Sequence, residues 1–126
     1  MLRTKVQVVV RVVLFARVST KPQAAEDRYS ISAQLTEMRE FCAREGWKIV
    51  TEIVEVVSGK ATIRVKLKEL LNLVHAGEVD VVLVHELSRL SRSVYQTLHI
   101  FEVLGKNSVG FTSVKTLDFD FTNPSR

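Results

Sequence analysis

From Val6 to Phe15 every position except Gln7 and Arg11 is apolar. A run of this kind, rich in valine, predicts a strand buried on both faces near the centre of a sheet. Arg17 to Tyr29 is polar, contains Pro22 and reads as a loop. Ser30 has the chemistry of an N-cap, and Ile31, Leu35, Met38 and Cys42 follow at helical spacing, so a first helix runs to about Glu45. Gly46 suits the left-handed residue that closes it. Trp47 to Val57 predicts a second strand with a break, and Ser58-Gly59-Lys60 a turn. Leu67, Leu70, Leu71 and Val74 mark a second helix closed by Gly77. Val79 to Val84 predicts a third strand, interrupted only by Asp80, and His85 to Arg92 a polar linker. Val94, Leu98, Phe101 and Leu104 mark a third helix ending near Gly105, and Val109 to Val114 a fourth strand. Thr116 to Arg126 reads as irregular. Strands alternating with helices predict an α/β domain: a mainly parallel central sheet of about four or five strands, with helices on both faces.

The length, 126 residues, suits one domain, residues 1–126. With 46% hydrophobic and 25% charged residues, the composition excludes a disordered or low-complexity chain. Lys plus Arg number 18 against 14 for Asp plus Glu, a net charge of +4 that fits a polyanionic partner without requiring one. Cys42 is the only cysteine, which excludes an internal disulfide and fits a reducing cytoplasm. With His75, His85 and His99 the only histidines, a Cys-rich zinc site is excluded and no metal is expected. Neither GxGxxG nor GxxxxGK[ST] occurs, so the usual glycine-rich phosphate cradles are absent. Met1 to Ala16 starts basic and turns apolar, as a signal peptide would. Arg11 interrupts the run, however, and no small-residue cleavage pattern follows it. No stretch is long enough to span a membrane, and no membrane partner is expected.

In open parallel sheets, sites form beyond the carboxyl ends of the strands. That rule points to Arg17-Val18-Ser19-Thr20 after the first strand and to His85 through Arg92 after the third. If those strands are neighbours, the two segments share one rim. A lone serine after a strand is usually a turn former. Arg17, Arg89 and Arg92 would surround its hydroxyl with permanent charge, and guanidinium forks match phosphate oxygens. Such a cluster suits an oxyanion that gains charge during reaction. A solvated basic loop, with Glu86 pairing the arginines, accounts for the same residues.

The pattern as a whole resembles the resolvase/invertase family of serine recombinases. Phe15-Ala16-Arg17-Val18-Ser19-Thr20 is similar to the family's Y-A-R-V-S-T motif. Gln23, then Ser30-Ile31-Ser32-Ala33-Gln34-Leu35, is similar to the opening of its first helix. Ser58-Gly59 followed by Arg64 and Leu67 resembles its S-G…R…L stretch. Val79 to Val84 and then Leu87-Ser88-Arg89-Leu90-Ser91-Arg92 resemble its strand and L-[DS]-R-L-x-R motif. Val109 to Ser113 and Leu117-Asp118 resemble the segment before its long helix. The likeness covers nearly the whole chain in order. It implies site-specific DNA recombination with double-stranded DNA as substrate. Ser19 would be the nucleophile that forms a 5′-phosphoserine bond, and Arg17, Arg89 and Arg92 would bind the scissile phosphate. Gln34 and Arg64 match positions that orient or support the phosphate, and Ser88 is counted with them as phosphate or DNA-binding support. A helix glutamine and a first-turn arginine can equally be solvated surface groups. No cofactor and no metal are implied.

Two departures stand out. Many family members carry aspartate where this chain has Ser88, which leaves any acid–base or arginine-orienting role of that carboxylate without a bearer. Serine occurs there in some relatives, so the assignment of Ser19 stands. No histidine is placed by spacing to activate Ser19. The chain ends at Arg126, where family members begin a long dimerisation helix followed by a DNA-binding domain. The expectation is a catalytic domain from a parent that works as a homodimer and tetramer, with its DNA-binding part C-terminal. The loop at residues 21–29 leans toward a large phage-type integrase rather than a small resolvase or invertase. Two further readings remain: a catalytically inactive DNA-associated module of the same fold, and a doubly wound regulatory or ligand-binding domain. Domains of the latter kind usually carry a glycine-rich loop or acidic pocket after the first strand, where this chain has Arg-Val-Ser-Thr.

Overall fold

The computed structural model describes residues 8–19, 30–57 and 64–115. The order of elements is β1 (Arg11–Ser19), α1 (Ile31–Glu45), β2 (Lys48–Val57), α2 (Val65–His75), β3 (Val81–Val84), a 3-10 turn (Leu87–Arg89), α3 (Val94–Lys106) and β4 (Gly110–Ser113). Among the described residues the four strands form one parallel sheet in the order β2-β1-β3-β4. The mainly parallel α/β sheet expected from the sequence is therefore present. The expected turn at 58–60, most of the polar stretch 17–29 and the segment 116–126 lie outside the described residues.

Strand β1 is the spine of the core. Its alternating side chains are fully buried on opposite faces, with Val12, Leu14 and Ala16 on one and Val13 and Phe15 on the other. Burying one Val, Leu or Phe side chain contributes about 1.5–3 kcal/mol relative to exposure, which is why this run takes the centre. Helix α1 covers the first face with Leu35, Met38 and Cys42. Helices α2 and α3 cover the second with Leu67, Leu70, Val74, Ile100 and Leu104. This division follows from right-handed crossovers. The step from β1 to β2 goes one way along the sheet, and the steps to β3 and β4 go the other. The direction of winding reverses between β1 and β3, so the switch point of the sheet lies between these two strands.

Helix α1 starts at Ser30, whose hydroxyl accepts from the Ala33 N–H at 3.2 Å. It stops at Gly46 in the left-handed region (φ 74°), which turns its N–H back onto the Ala43 and Cys42 carbonyls. Burial pushes the Cys42 thiol up to about 11.

Four expectations need correction. Strand β1 begins at Arg11, not Val6, and Val8 and Val9 are exposed. Its extent is set by its partners, which begin at Lys48 and Val81, rather than by its own hydropathy. It also continues through Ser19, so Arg17 and Ser19 stand on a strand and not in a loop; pairing with β2 as far as Ser19–Val57 explains this. Strand β2 is continuous, and the expected break is a register shift opposite Val12 and Val13. On α3 the buried positions are Thr97, Ile100 and Leu104, while Val94 and Leu98 face outward. The Ser93 cap and the packing of Phe101 on Phe111, ring centroids 5.1 Å apart, set the rotation of that helix.

Candidate active site

The carboxyl ends of β1 and β3 are adjacent, so Arg17 and the turn after β3 share one rim. Arg17 reaches across to that turn. Its Nη2 donates to the Ser88 carbonyl at 2.8 Å and its Nε to the Arg89 carbonyl at 3.3 Å. Arg89 answers in the opposite direction, Nη1 donating to the Arg17 carbonyl at 3.4 Å. Gln34, fully buried on α1, donates through Nε2 to that same carbonyl at 3.4 Å. A solvated role for Gln34 is thereby excluded, because it seals the rim from the α1 side.

Arg64 does not face water either. It stands at the N-cap of α2 with a side chain only 12% exposed. Its Nη2 lies 2.6 Å from Glu55 Oε1, and its Nε also donates to that carboxylate, from 3.1 Å. Nη2 further donates to the Leu90 carbonyl at 2.9 Å and Nη1 to Gln96 Oε1 at 2.7 Å. Its guanidinium carbon sits 6.0 Å from the centroid of the Phe15 ring. Glu55, on β2 and almost fully buried, is the anion that makes this burial tolerable. The sequence carried one signal for it, an acidic residue at a position of β2 that faces the core.

Arg89 and Arg92 do not share a helical face. The 3-10 turn ends at Arg89, which is buried, and Arg92 lies beyond it, exposed. Ser88 is exposed, and it meets Arg17 through its carbonyl. The backbone of Ser19 lies two positions beyond Arg17 on β1, paired with Val57. His85, fully buried at the end of β3, places Nε2 2.9 Å from Glu37 Oε1. It thus ties the root of the turn to α1.

The electrostatics follow from this crowding. Burial, then the charges of Arg64 and Arg92 and finally Arg89, lower the Arg17 pKa; Glu55 opposes them. Among the described residues, three guanidinium groups therefore act on Arg17, and the buried Glu55 carboxylate opposes them. An anion at this rim would lessen the repulsion on Arg17, and guanidinium groups offer it fork-shaped donors. Among the described residues no three His, Cys, Asp or Glu side chains are grouped to hold a metal ion, and no helix is long and apolar enough to cross a membrane.

Comparison with known proteins agrees with this fold. The family model described as "Resolvase, N terminal domain" matches residues 12–126. No curated protein matches the chain. Among solved structures, the N-terminal catalytic domain of TP901-1 integrase is 34% identical with a TM-score of 0.73, over 82% of this chain and 77% of that one. The C-terminal catalytic domain of ISC1926 TnpA, an IS607-like serine recombinase, is 29% identical with a TM-score of 0.71, over 86% of this chain and 72% of that one. A resolvase family site-specific recombinase from Streptococcus pneumoniae is 25% identical with a TM-score of 0.71, over 90% of this chain and 76% of that one. The chain belongs to the resolvase N-terminal domain family and has the catalytic fold of the serine site-specific recombinases.

Proposed function

We propose that this domain cuts and rejoins DNA through Ser19. The observation that carries the reading is the meeting of Arg17 with the Ser88–Arg89 backbone at the switch point of the sheet, two residues before Ser19 on the same strand. The Ser19 oxygen attacks a phosphodiester phosphorus. The new bond is a 5′-phosphoserine ester; the bond that breaks is the one to O3′, which takes a proton as the hydroxyl of Ser19 loses one. Each phosphoester bond lost is replaced by another, so rejoining is the same step reversed and no cofactor or metal is required. Arg17, Arg89 and Arg92 bind the phosphate and stabilise the charge it gains in the transition state. Gln34 supports them by holding the Arg17 carbonyl, and Arg64 by holding the Leu90 carbonyl. Ser88 supports the site through its carbonyl, which accepts from Arg17.

Residues 1–126 thus serve the chemistry. A long helix for dimer and tetramer assembly and a separate DNA-binding domain, as the family resemblance implies, serve assembly and site reading in the cytoplasm. Ser19→Ala tests the reading on the parent recombinase with DNA carrying its recombination site. The covalent protein–DNA adduct should vanish while DNA binding stays within about twofold, as expected of one small substitution that leaves every arginine in place. An undiminished adduct overturns the assignment.

A further inference from the structure

Arg64 spends its hydrogen bonds inside the protein. Its Nε–H, both N–H groups of Nη2 and one of Nη1 are taken up by Glu55, Leu90 and Gln96. Of five donors, one remains. Such a group acts on its surroundings as a strut, and the part it braces is the segment between Arg89 and Arg92. Leu90 presents its carbonyl to Nη2 at 2.9 Å. The next residue, Ser91, donates its hydroxyl to Gln96 Oε1 at 2.8 Å, the same oxygen that accepts from Arg64 Nη1 at 2.7 Å. Two donors converging on one oxygen fix the orientation of the Gln96 amide, because a flipped amide would set N–H against N–H. Gln96 is held in turn by its place in the first turn of α3, where its backbone N–H donates to Ser93 Oγ at 3.1 Å. Ser91 Oγ also accepts from the Ser93 N–H at 3.1 Å.

We propose that Gln96 and Ser91 are positioning residues for Arg92. Together with Arg64 they clamp the two residues before it from both sides. Arg92 itself is exposed, and a long exposed side chain gives up rotamer freedom whenever it binds. Fixing its backbone root removes part of that loss in advance, which is how a preorganised site gains affinity. Glu55 anchors the far end of the clamp on β2, so the position of Arg92 is referred to the centre of the sheet rather than to the turn alone.

The proposal rests on the reading that Arg92 binds phosphate, and the experiment separates the two. The chain is titrated with inorganic phosphate while the arginine side-chain N–H resonances are followed by NMR, with thermal unfolding run on each variant to establish folding. Arg92→Ala should weaken binding by about tenfold, the scale of one charge-assisted contact. Gln96→Leu and Ser91→Ala should each weaken it by about three- to tenfold in the wild-type background. Neither should weaken it further when added to Arg92→Ala, because the residue they position is gone. A purely structural role gives the same loss in both backgrounds and overturns the proposal. Unchanged affinity in both Gln96→Leu and Ser91→Ala, with Arg92→Ala impaired, also overturns it. Unchanged affinity in Arg92→Ala overturns instead the phosphate-binding reading beneath it.

Discussion

Arg17 and Ser88 are joined through the backbone: Nη2 of the arginine donates to the serine carbonyl at 2.8 Å, while the Ser88 side chain stays at the surface. The contact that docks β1 onto the turn after β3 is therefore indifferent to the side chain at position 88. The rim therefore holds together with a serine side chain at this position. Ser88→Ala should leave single-turnover DNA cleavage by the recombinase within about twofold, as for other surface substitutions. A larger loss would assign the Ser88 hydroxyl a part in the reaction.

Arg89 and Arg92 should part company on substitution. Arg89 is buried and bonded to the Arg17 carbonyl; Arg92 is exposed. Lysine keeps the charge and loses the fork. Each lysine variant should slow cleavage by at least roughly tenfold. Arg89→Lys should in addition cost about 1–3 kcal/mol of stability, because a buried position occupied by a planar guanidinium must then desolvate a more strongly hydrated ammonium. Arg92→Lys should unfold like wild type. Urea unfolding beside cleavage rates checks both, and equal stability losses would contradict the burial difference.

Removing Glu55 strands a buried guanidinium. Glu55→Ala should cost about 3–5 kcal/mol, the scale for breaking a buried ion pair from one side. Replacing both partners, as in Glu55→Leu with Arg64→Leu, should recover part of that stability while impairing cleavage. Chemical unfolding of the three variants checks the order, and a neutral Glu55→Ala would mean that the pair is solvated in solution.

At the opposite edge of the sheet, Asp80 accepts from the Arg11 backbone N–H at 2.8 Å and from its guanidinium at 3.0 and 3.1 Å. The guanidinium hydrogen bonds lower the Asp80 pKa, with help from the backbone bond. A carboxylate whose pKa is depressed on folding contributes stability above its unfolded pKa, and that contribution is lost as pH falls through the folded value. The loss is confined to pH below about 4, the ordinary aspartate range. Both side chains are 42% exposed, so the effect is small and screened by salt. Asp80→Asn should lower the unfolding midpoint slightly at neutral pH and flatten the acid limb of the stability curve. An acid limb unchanged by the substitution would remove Asp80 from its causes.

The periodicity of the chain revealed the parallel α/β architecture because each helix carries its own apolar stripe and each strand its own apolar run. Ser30 and Gly46 marked the bounds of α1 because a side-chain cap and a left-handed turn are local chemistry. The limits of β1 were not legible, since they depend on where β2 and β3 begin and end. The rotation of α3 was hidden for a similar reason: Val94, Leu98 and Ile100 are all apolar, and only the capping and the Phe101–Phe111 contact choose among them. In the site, the sequence offered Arg17, Arg89 and Arg92 as a set, and the fold brings their segments to one rim. It gave no means of seeing that Gln34 and Arg64 would be buried, because their partners are a backbone carbonyl of β1 and a carboxylate on β2.

The two ladders that flank β1 are unequal. Pairing with β3 stops at Phe15, whereas pairing with β2 continues to Ser19. The strand is thus zipped on both sides through the core and on one side only at the end that carries Arg17 and Ser19. Amide hydrogen exchange should divide along that boundary. Amides bonded within the doubly flanked stretch, Val12 to Phe15, should exchange only through global unfolding. Those of Val18 and Ser19 should exchange through a smaller opening that leaves the rest of the sheet intact. The end proposed to meet the DNA backbone would then move without disturbing the core on which it is built.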